Sequence, residues 1–182
     1  MVEDLCFHLV DLVQNSVAAG ASAIGLGVTE SEHGDRLTLE VSDNGRGMDA
    51  ETLERVQDPF FTTKSFKRVG LGIPLLKATA QVCRGEFSIA SQVGQGTTVK
   101  ALLQKSHLDC PPLGDLEATL LSLLVSLEGI DLRFTYRSDR GEFSLSSGDI
   151  RLQVGDLHFS HPDIYRFIKE YLHEGLAGVA RS

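Results

Sequence analysis

The sequence predicts a domain in which helices alternate with β-hairpins, followed by a smaller α+β domain. Two segments, 2–18 and 73–83, carry apolar residues at the spacing of an amphipathic helix. After each of them come two short segments rich in β-forming residues, which we interpret as a hairpin. The composition then changes to a stretch rich in proline and polar residues. We therefore expect a domain at 1–104, a linker at 105–114 and a second domain at 115–182.

The first helix combines a core-facing stripe with two polar residues that suit phosphate chemistry. The stripe consists of Leu5, Leu9, Leu12, Val13 and Val17, and Gly20 ends the helix. Asp11 and Asn15 stand four residues apart and therefore project from one face. The amide oxygen of Asn15 can ligate Mg²⁺, and Asp11 can orient a nucleophile toward a terminal phosphate. A solvated helix face is the simpler alternative.

The first hairpin leads into a glycine-containing turn. We predict strands at 23–28 and 37–41, joined by a polar turn. The second strand continues into segment 43–47, Asp-Asn-Gly-Arg-Gly, whose glycines allow a tight turn and a close approach of the backbone to a ligand. Asp49 is expected to cap a short helix that extends through Val56.

Residues 57–72 form no regular pattern and are predicted to be a long functional loop. They contain adjacent aromatic residues, three cations and two glycines. The helix after this loop has a proline in its first turn, and its N-terminus suits an anion because the first N–H groups have no partner within the helix. A second hairpin, with strands at 87–91 and 97–103, completes the first domain.

The second domain is predicted as a helix, a three-stranded meander and a final helix. The first helix spans 116–127, and Pro162 opens the last one. Between them the apolar residues alternate three times: Leu132-Phe134-Tyr136, Phe143-Leu145 and Ile150-Leu152-Val154. Because no cluster of catalytic residue types occurs here, we interpret this part as a docking or dimerisation module for a protein partner.

Composition excludes several classes of protein. A net charge of −8 argues against a nucleic-acid or acidic-membrane surface. Three cysteines without metal-ligand spacing favour reduced thiols. The acidic N-terminus does not suit a signal peptide, and no apolar run reaches the roughly 18 residues of a membrane span. We expect a soluble cytoplasmic protein.

These motifs, taken in order, resemble those of the gyrase, histidine kinase and MutL superfamily of ATP-binding domains. The resemblance covers residues 5–104. Segment 11–21 is similar to the N box, 43–47 to the first glycine box, 59–64 to the histidine-kinase F box, 70–72 to the second glycine box, and 94–97 to the closing glycine-threonine strand. The chain has neither a GxxxxGK[ST] loop nor a GxGxxG turn after a strand, so P-loop and Rossmann folds are not expected.

The resemblance implies a Bergerat-type α/β sandwich, with helices on a mixed sheet and ATP beneath a lid. The residues it implies for ATP and Mg²⁺ are Asn15 as the metal ligand, Asp43 as the acceptor for the adenine amino group, Gly45 and Gly47 as the pocket floor, Lys64 near the phosphates, Gly70, Leu71 and Gly72 at the phosphate-side hinge, and Thr97 as support for the adenine. Lys64, Lys67 and Arg68 can supply positive charge near the phosphates, although a solvated lid surface is as good an explanation for all three.

The sequence also departs from the family pattern. Members that hydrolyse ATP or phosphorylate serine generally place glutamate where Asp11 stands, and aspartate is shorter by about 1.5 Å. The end of the N box is closer to MutL, whereas the lid is closer to histidine kinases. Only ten residues precede Asp11, so we expect a chain that is not a complete sensor kinase.

Our leading functional hypothesis is therefore phosphoryl transfer from ATP to a separate protein. A nucleotide-dependent conformational switch with little turnover is one alternative. A MutL-like ATP-hydrolysing homodimer, in which Asp11 acts as the base, is another.

Overall fold

The structure is a computed structural model that describes residues 4–58, 71–127, 129–155 and 157–180. In chain order its elements are α1 (Leu5–Ala18), β1 (Ala23–Ser31), β2 (Arg36–Asp43), α2 (Ala50–Arg55), α3 (Gly72–Val82), β3 (Glu86–Gln92), β4 (Gly96–Gln104), α4 (Leu116–Ser126), β5 (Asp131–Ser138), β6 (Gly141–Ser146), α5 (Ser147–Val154) and α6 (Pro162–Val179). The predicted helices and hairpins of the first 104 residues are confirmed, with ends that differ by a few residues.

The described strands form one mixed sheet in the order β3-β4-β2-β1-β5-β6. Neighbouring strands are antiparallel except for β1 and β5, which are parallel. Along β2, Leu37, Leu39 and Val41 are buried while the residues between them are partly exposed. This alternation allows helices to cover one face of the sheet. The expected architecture of helices on a mixed sheet is thus confirmed.

Helix α1 packs between the sheet and two other helices, α3 and α4. The Asp4 carboxylate caps its N-terminus and accepts a hydrogen bond from the backbone N–H of Phe7 at 3.0 Å. His8 is fully buried, and its Nε2 lies 3.1 Å from Thr79 Oγ1 on α3. Burial disfavours the imidazolium and lowers the pKa of His8 to about 4.

The residues after the expected linker extend the same sheet. Strand β5 pairs with β1 in a register that sets Leu132 beside Ile24, and β6 then pairs with β5. The linker segment is itself bonded to α1, because Leu5 N–H donates to the Pro112 carbonyl oxygen and Cys6 N–H to that of Leu113, both at 2.9 Å. The second part of the chain is therefore joined to the first by strand pairing and by backbone hydrogen bonds.

The predicted third strand of the meander is wrong, since Ile150, Leu152 and Val154 lie in helix α5. The Ser146 hydroxyl caps this helix by accepting from Asp149 N–H at 3.3 Å. Ile150 is buried, but Leu152 is 86% exposed. The alternation in the sequence therefore does not mark one buried strand face, and the meander is a hairpin followed by a helix.

Helices in the described ranges lack the combination of length and apolarity that crossing a bilayer requires.

Candidate functional site

A cavity of about 460 Å³ opens where α1, α2 and the start of α3 meet strands β2 and β4. Its apolar wall includes Leu12, Val41, Met48, Val56, Ile73 and Val99. Its polar lining includes Asn15, Ser16, Asp43 and Thr97. An apolar slot with a few convergent polar groups is typical of a small-molecule site.

The Asp43 carboxylate is fixed at the end of β2, on the cavity wall. Its Oδ2 accepts a hydrogen bond of 2.7 Å from the Ser16 hydroxyl, and its Oδ1 accepts one of 2.8 Å from Gly45 N–H. Ser16 is buried in α1, so the carboxylate is tied both to a helix and to its own turn. Because each carboxylate oxygen can accept a second hydrogen bond, Asp43 is prepared to receive a ligand N–H group.

Glycine at position 47 is required by the path of the turn. Gly47 has φ +65, and a Cβ there would overlap with the Gln92 carbonyl oxygen of β3. The turn after β2 therefore lies directly against the β3–β4 hairpin. The neighbouring Arg46 carbonyl accepts a 2.8 Å hydrogen bond from Gly94 N–H, which joins the same two segments. Gly47 lines the cavity, as its expected place on the pocket floor requires.

Gly45 lies behind Asp43. A Cβ at this buried glycine would stand 2.9 Å from both the Cβ and the carbonyl oxygen of Ala19. Position 45 therefore allows close packing of the turn against the end of α1, and its N–H orients the Asp43 carboxylate.

Thr97 stands beside Asp43 across the β2–β4 ladder and lines the cavity. Its Oγ1 lies 2.9 Å from the hydroxyl of Ser91 on β3. The Ser91 hydroxyl also accepts from Met48 N–H and donates to the Gly96 carbonyl oxygen, both at 2.9 Å. This network joins the expected adenine-supporting threonine to the turn that follows Asp43.

Asp11 and Asn15 meet the start of α3. A Cβ on Gly72 would lie 3.0 Å from the Cβ of Asp11 and 3.6 Å from Asn15 Nδ2, so a side chain at position 72 would crowd Asp11. The N-cap residue Leu71 makes no side-chain capping bond, and the helix starts with Gly72. The first N–H groups of α3 are thus placed for an anion next to both polar side chains of α1.

The structure brings most of the predicted site residues together. Asn15, Asp43, Gly47 and Thr97 line the cavity. Asp11 and Gly72 contact each other across the α1–α3 boundary, Gly45 packs behind Asp43, and Leu71 is 37% exposed at the N-cap of α3. The predicted residues Lys64 and Gly70, the F-box segment 59–64, and the cations Lys67 and Arg68 lie outside the described residues.

Sequence reasoning missed two serines that organise the site. Ser16 follows Leu9 and Leu12 at helical spacing, so a polar residue within a core-facing stripe was the available signal. Ser91 carried no such signal, because its role depends on its pairing with Thr97 across the hairpin. Arg46 of the turn after β2 is exposed but also lines the cavity.

The cavity residues fit the magnesium nucleotide that the sequence implies. Asn15 offers an amide oxygen at the same end as the start of α3, and a cation held there would need further ligands from phosphate or water. Gly47 packs closely against the β3–β4 hairpin while lining the cavity, and Gly72 packs closely against Asp11. The donor set suits a hard, oxygen-liganded cation.

Comparisons with known proteins agree with this geometry. Residues 3–107 match the family model described as histidine kinase-, DNA gyrase B-, and HSP90-like ATPase. The chain is 40% identical over 95 residues to the sensor protein kinase FleS of Pseudomonas aeruginosa, which covers 52% of this chain and 23% of FleS. It is 33% identical over 90 residues to the sensor histidine kinase ZraS of Escherichia coli K12, which covers 50% of this chain and 19% of ZraS. The chain thus spans less than a quarter of the length of either relative.

Solved structures share the fold over more of the chain. The Aquifex aeolicus MutL ATPase domain complexed with ADP aligns with a TM-score of 0.54 at 17% identity, covering 94% of this chain and 70% of that domain. The N-terminal domain of a DNA repair protein aligns with a TM-score of 0.53 at 16% identity, covering 80% of this chain and 53% of that one. The family model matches more than half of the residues of this chain. The chain therefore belongs to the histidine kinase-, DNA gyrase B- and HSP90-like ATPase family.

Proposed function

We propose that this protein binds ATP with Mg²⁺ in the cavity between α1, β2 and β4, and transfers the terminal phosphoryl group to a separate protein. The observation that carries the proposal is the Asp43 carboxylate, which Ser16 and Gly45 hold at the wall of an otherwise largely apolar slot. A fixed carboxylate accepts the adenine amino group. Guanine presents a carbonyl oxygen at the same place and leaves the carboxylate unpaired.

The triphosphate then extends from the base toward the start of α3. Asn15 lines the cavity together with Asp43, and its side-chain amide lies close to Gly72, so its amide oxygen is the group that would hold the metal. Bound Mg²⁺ supplies charge neutralisation on the phosphate oxygens. The Gly72 and Ile73 N–H groups add hydrogen-bond donors for the same oxygens, because no backbone carbonyl precedes them within the helix.

Asp11 lies one helical turn from Asn15 and contacts Gly72, which puts it near the terminal phosphate. We assign it the role of orienting the attacking group. Because aspartate is shorter than glutamate, an attacking group that Asp11 orients would lie closer to the helix than one oriented by glutamate. The curated relatives FleS and ZraS carry the names of sensor kinases, which supports the same assignment.

The partner binds to the C-terminal part of the chain, which has no catalytic cluster in its sequence. In this proposal α4 to α6 position the acceptor protein, and the reaction takes place in the cytoplasm. The protein can act as a monomer or as a homodimer in this scheme.

The test is incubation of the purified chain with γ-labelled ATP, Mg²⁺ and a cell extract, beside the variants Asn15→Ala and Asp11→Asn. Label on another protein, lost in both variants, is the expected result. Free phosphate that Asp11→Asn abolishes would instead assign a MutL-like ATPase. Tight binding without label transfer or phosphate release would assign a conformational switch.

A calorimetric titration gives the simpler control. Failure of the folded protein to bind Mg-ATP at millimolar concentration would refute the kinase, the ATPase and the conformational-switch hypotheses alike. The variant Asp163→Asn, which removes one negative charge from the exposed start of α6, is the matched control for changes in net charge.

A further inference from the structure

Two thiols meet where helix α3 ends, outside the proposed nucleotide site. Cys83 is the C-cap residue of α3 and is fully buried, whereas Cys110 lies in segment 105–115 and is partly exposed. The Cys83 thiol donates a hydrogen bond of 3.8 Å to the carbonyl oxygen of Asp109, the residue that precedes Cys110. The two thiols are also near enough for each to affect the pKa of the other.

Backbone geometry limits how far apart the two cysteines can be. In a trans peptide the carbonyl oxygen of one residue lies about 2.8 Å from the next Cα. The Cys83 sulfur, 3.8 Å from the Asp109 oxygen, is therefore within about 7 Å of the Cys110 Cα. A disulfide needs Cα atoms about 4.4–6.8 Å apart with facing Cβ atoms, so its formation requires the Cys83 sulfur to turn from the Asp109 carbonyl oxygen toward the neighbouring Cys110 sulfur.

We propose that Cys83 and Cys110 form a reversible disulfide by exchange with a small-molecule disulfide of the glutathione type. The partly exposed Cys110 thiolate attacks one sulfur of the small disulfide, which forms a mixed disulfide and releases one small thiol. The Cys83 thiolate then attacks the Cys110 sulfur, which forms the protein disulfide and releases the second small thiol. Two protein thiols are oxidised, and one small disulfide is reduced to two thiols.

Cys6, the third cysteine, is excluded from the pair by its surroundings. It is buried on α1, near Thr119 of α4, and burial raises the pKa of its thiol to about 11. It therefore serves as an internal control, with the same chemistry and similar burial but no neighbouring thiol.

The disulfide would join the end of α3 to the segment that is hydrogen-bonded to the first turn of α1, and both of these helices border the cavity. Cys83 ends α3, and Cys110 belongs to the segment whose Pro112 and Leu113 carbonyls accept hydrogen bonds from the first turn of α1. A covalent bond at this place closes a loop from residue 83 to residue 110 and holds the end of α3 to the start of α1. Oxidation therefore stabilises the mutual position of these helices.

Exchange is expected to be slow at neutral pH. Burial raises the pKa of the Cys83 thiol to about 12 and also raises the pKa of the Cys110 thiol. Only the thiolate attacks a disulfide, so the reaction needs mildly alkaline conditions or long incubation.

The test uses the full chain with oxidised glutathione at about pH 8.5, followed by thiol counting and non-reducing tryptic peptide mapping. The wild type should fall from three free thiols to one, with peptides 78–84 and 106–133 linked. Cys6→Ser should form the same link, and Cys110→Ser should form none. Cys110 is partly exposed at the edge of the core, so serine, which differs by one atom, is the mildest replacement, and circular dichroism checks that the variant is folded.

Two results would overturn the proposal. One is a folded, glutathione-treated wild type in which peptides 78–84 and 106–133 remain separate. The other is a link that includes peptide 1–36, which carries Cys6. Thermal unfolding supplies a second readout, in which the oxidised wild type should unfold several degrees above oxidised Cys110→Ser. Equal unfolding temperatures would contradict the proposed stabilisation by the disulfide.

Discussion

Replacing Asp43 by asparagine removes the acceptor that we assign to the adenine amino group while preserving the shape of the side chain. The fold should tolerate this change. The remaining side-chain oxygen can still accept from Gly45 N–H, and the Ser16 hydroxyl has a second acceptor in the Leu12 carbonyl at 3.2 Å. The unfolding temperature should therefore fall by only a few degrees.

The effect on nucleotide binding should be much larger. A hydrogen bond to an ionised group contributes about 1.5–3 kcal/mol, and asparagine additionally turns a donor toward a donor. This predicts a loss of about 10- to 150-fold in affinity for Mg-ATP. The preference for ATP over GTP should also decrease, because the amide NH₂ group can donate to the guanine carbonyl.

Isothermal titration calorimetry with Mg-ATP and Mg-GTP measures both effects, with Asp163→Asn as the control for charge. A folded Asp43→Asn variant that binds Mg-ATP as tightly as the wild type would refute the argument, because the base would then be recognised elsewhere. A parallel loss in Asp163→Asn would show that net charge, and not the acceptor, determines affinity.

Four further changes test the structure. Ser16→Ala should weaken Mg-ATP binding about 3- to 10-fold in calorimetry, because the Asp43 carboxylate loses its 2.7 Å donor; unchanged affinity would exclude a positioning role. Gly47→Ala should lower the free energy of unfolding, measured in urea, by about 2–5 kcal/mol. The control Gly94→Ala, at a glycine with a similar positive φ but open space around its Cβ, should lower it by only about 1–2 kcal/mol. Equal losses would show that the Gln92 contact is unimportant. The pKa of buried His8 falls from 6.5 to about 4 on folding, so the unfolded chain binds more protons between these values. The contribution of neutral His8 to stability is fully present above about pH 6.5 and is lost by up to roughly 3 kcal/mol as the pH falls to about 4, so urea unfolding should show a smaller slope over this range in His8→Gln than in the wild type. Truncation after residue 107 should give an aggregating chain in size-exclusion chromatography, because β1 loses its pairing with β5; a soluble, cooperatively unfolding product would establish that the first part folds alone.

The elements of the first 104 residues could be predicted because their signals are local. The apolar stripe of α1 and the alternation in β2 each depend on spacing within one segment, and the glycine at position 47 marks a turn. The site residues followed from the order of motifs along the chain. The sequence did not predict the hydrogen-bond partners that position those residues. Ser16 donates to Asp43, 27 positions later, and Ser91 contacts Thr97 because the two are paired across a hairpin.

The place of the C-terminal strands was beyond such reasoning for a physical reason. Alternation shows which face of a strand is buried, but it does not show which strand lies beside it. Strand β1 has buried residues on one face, and its partner β5 lies more than 100 residues later in the chain. The two strands are parallel, so no tight turn joins them and no turn motif in the sequence predicts the pairing. The family match ends at residue 107, yet the sheet continues through β5 and β6, and the likeness to the MutL ATPase domain covers 94% of the chain. The residues of the family match therefore share one hydrogen-bonded sheet with β5 and β6. Helix α1, which carries Asn15, packs both on strands of that sheet and on α4, which lies beyond the family match.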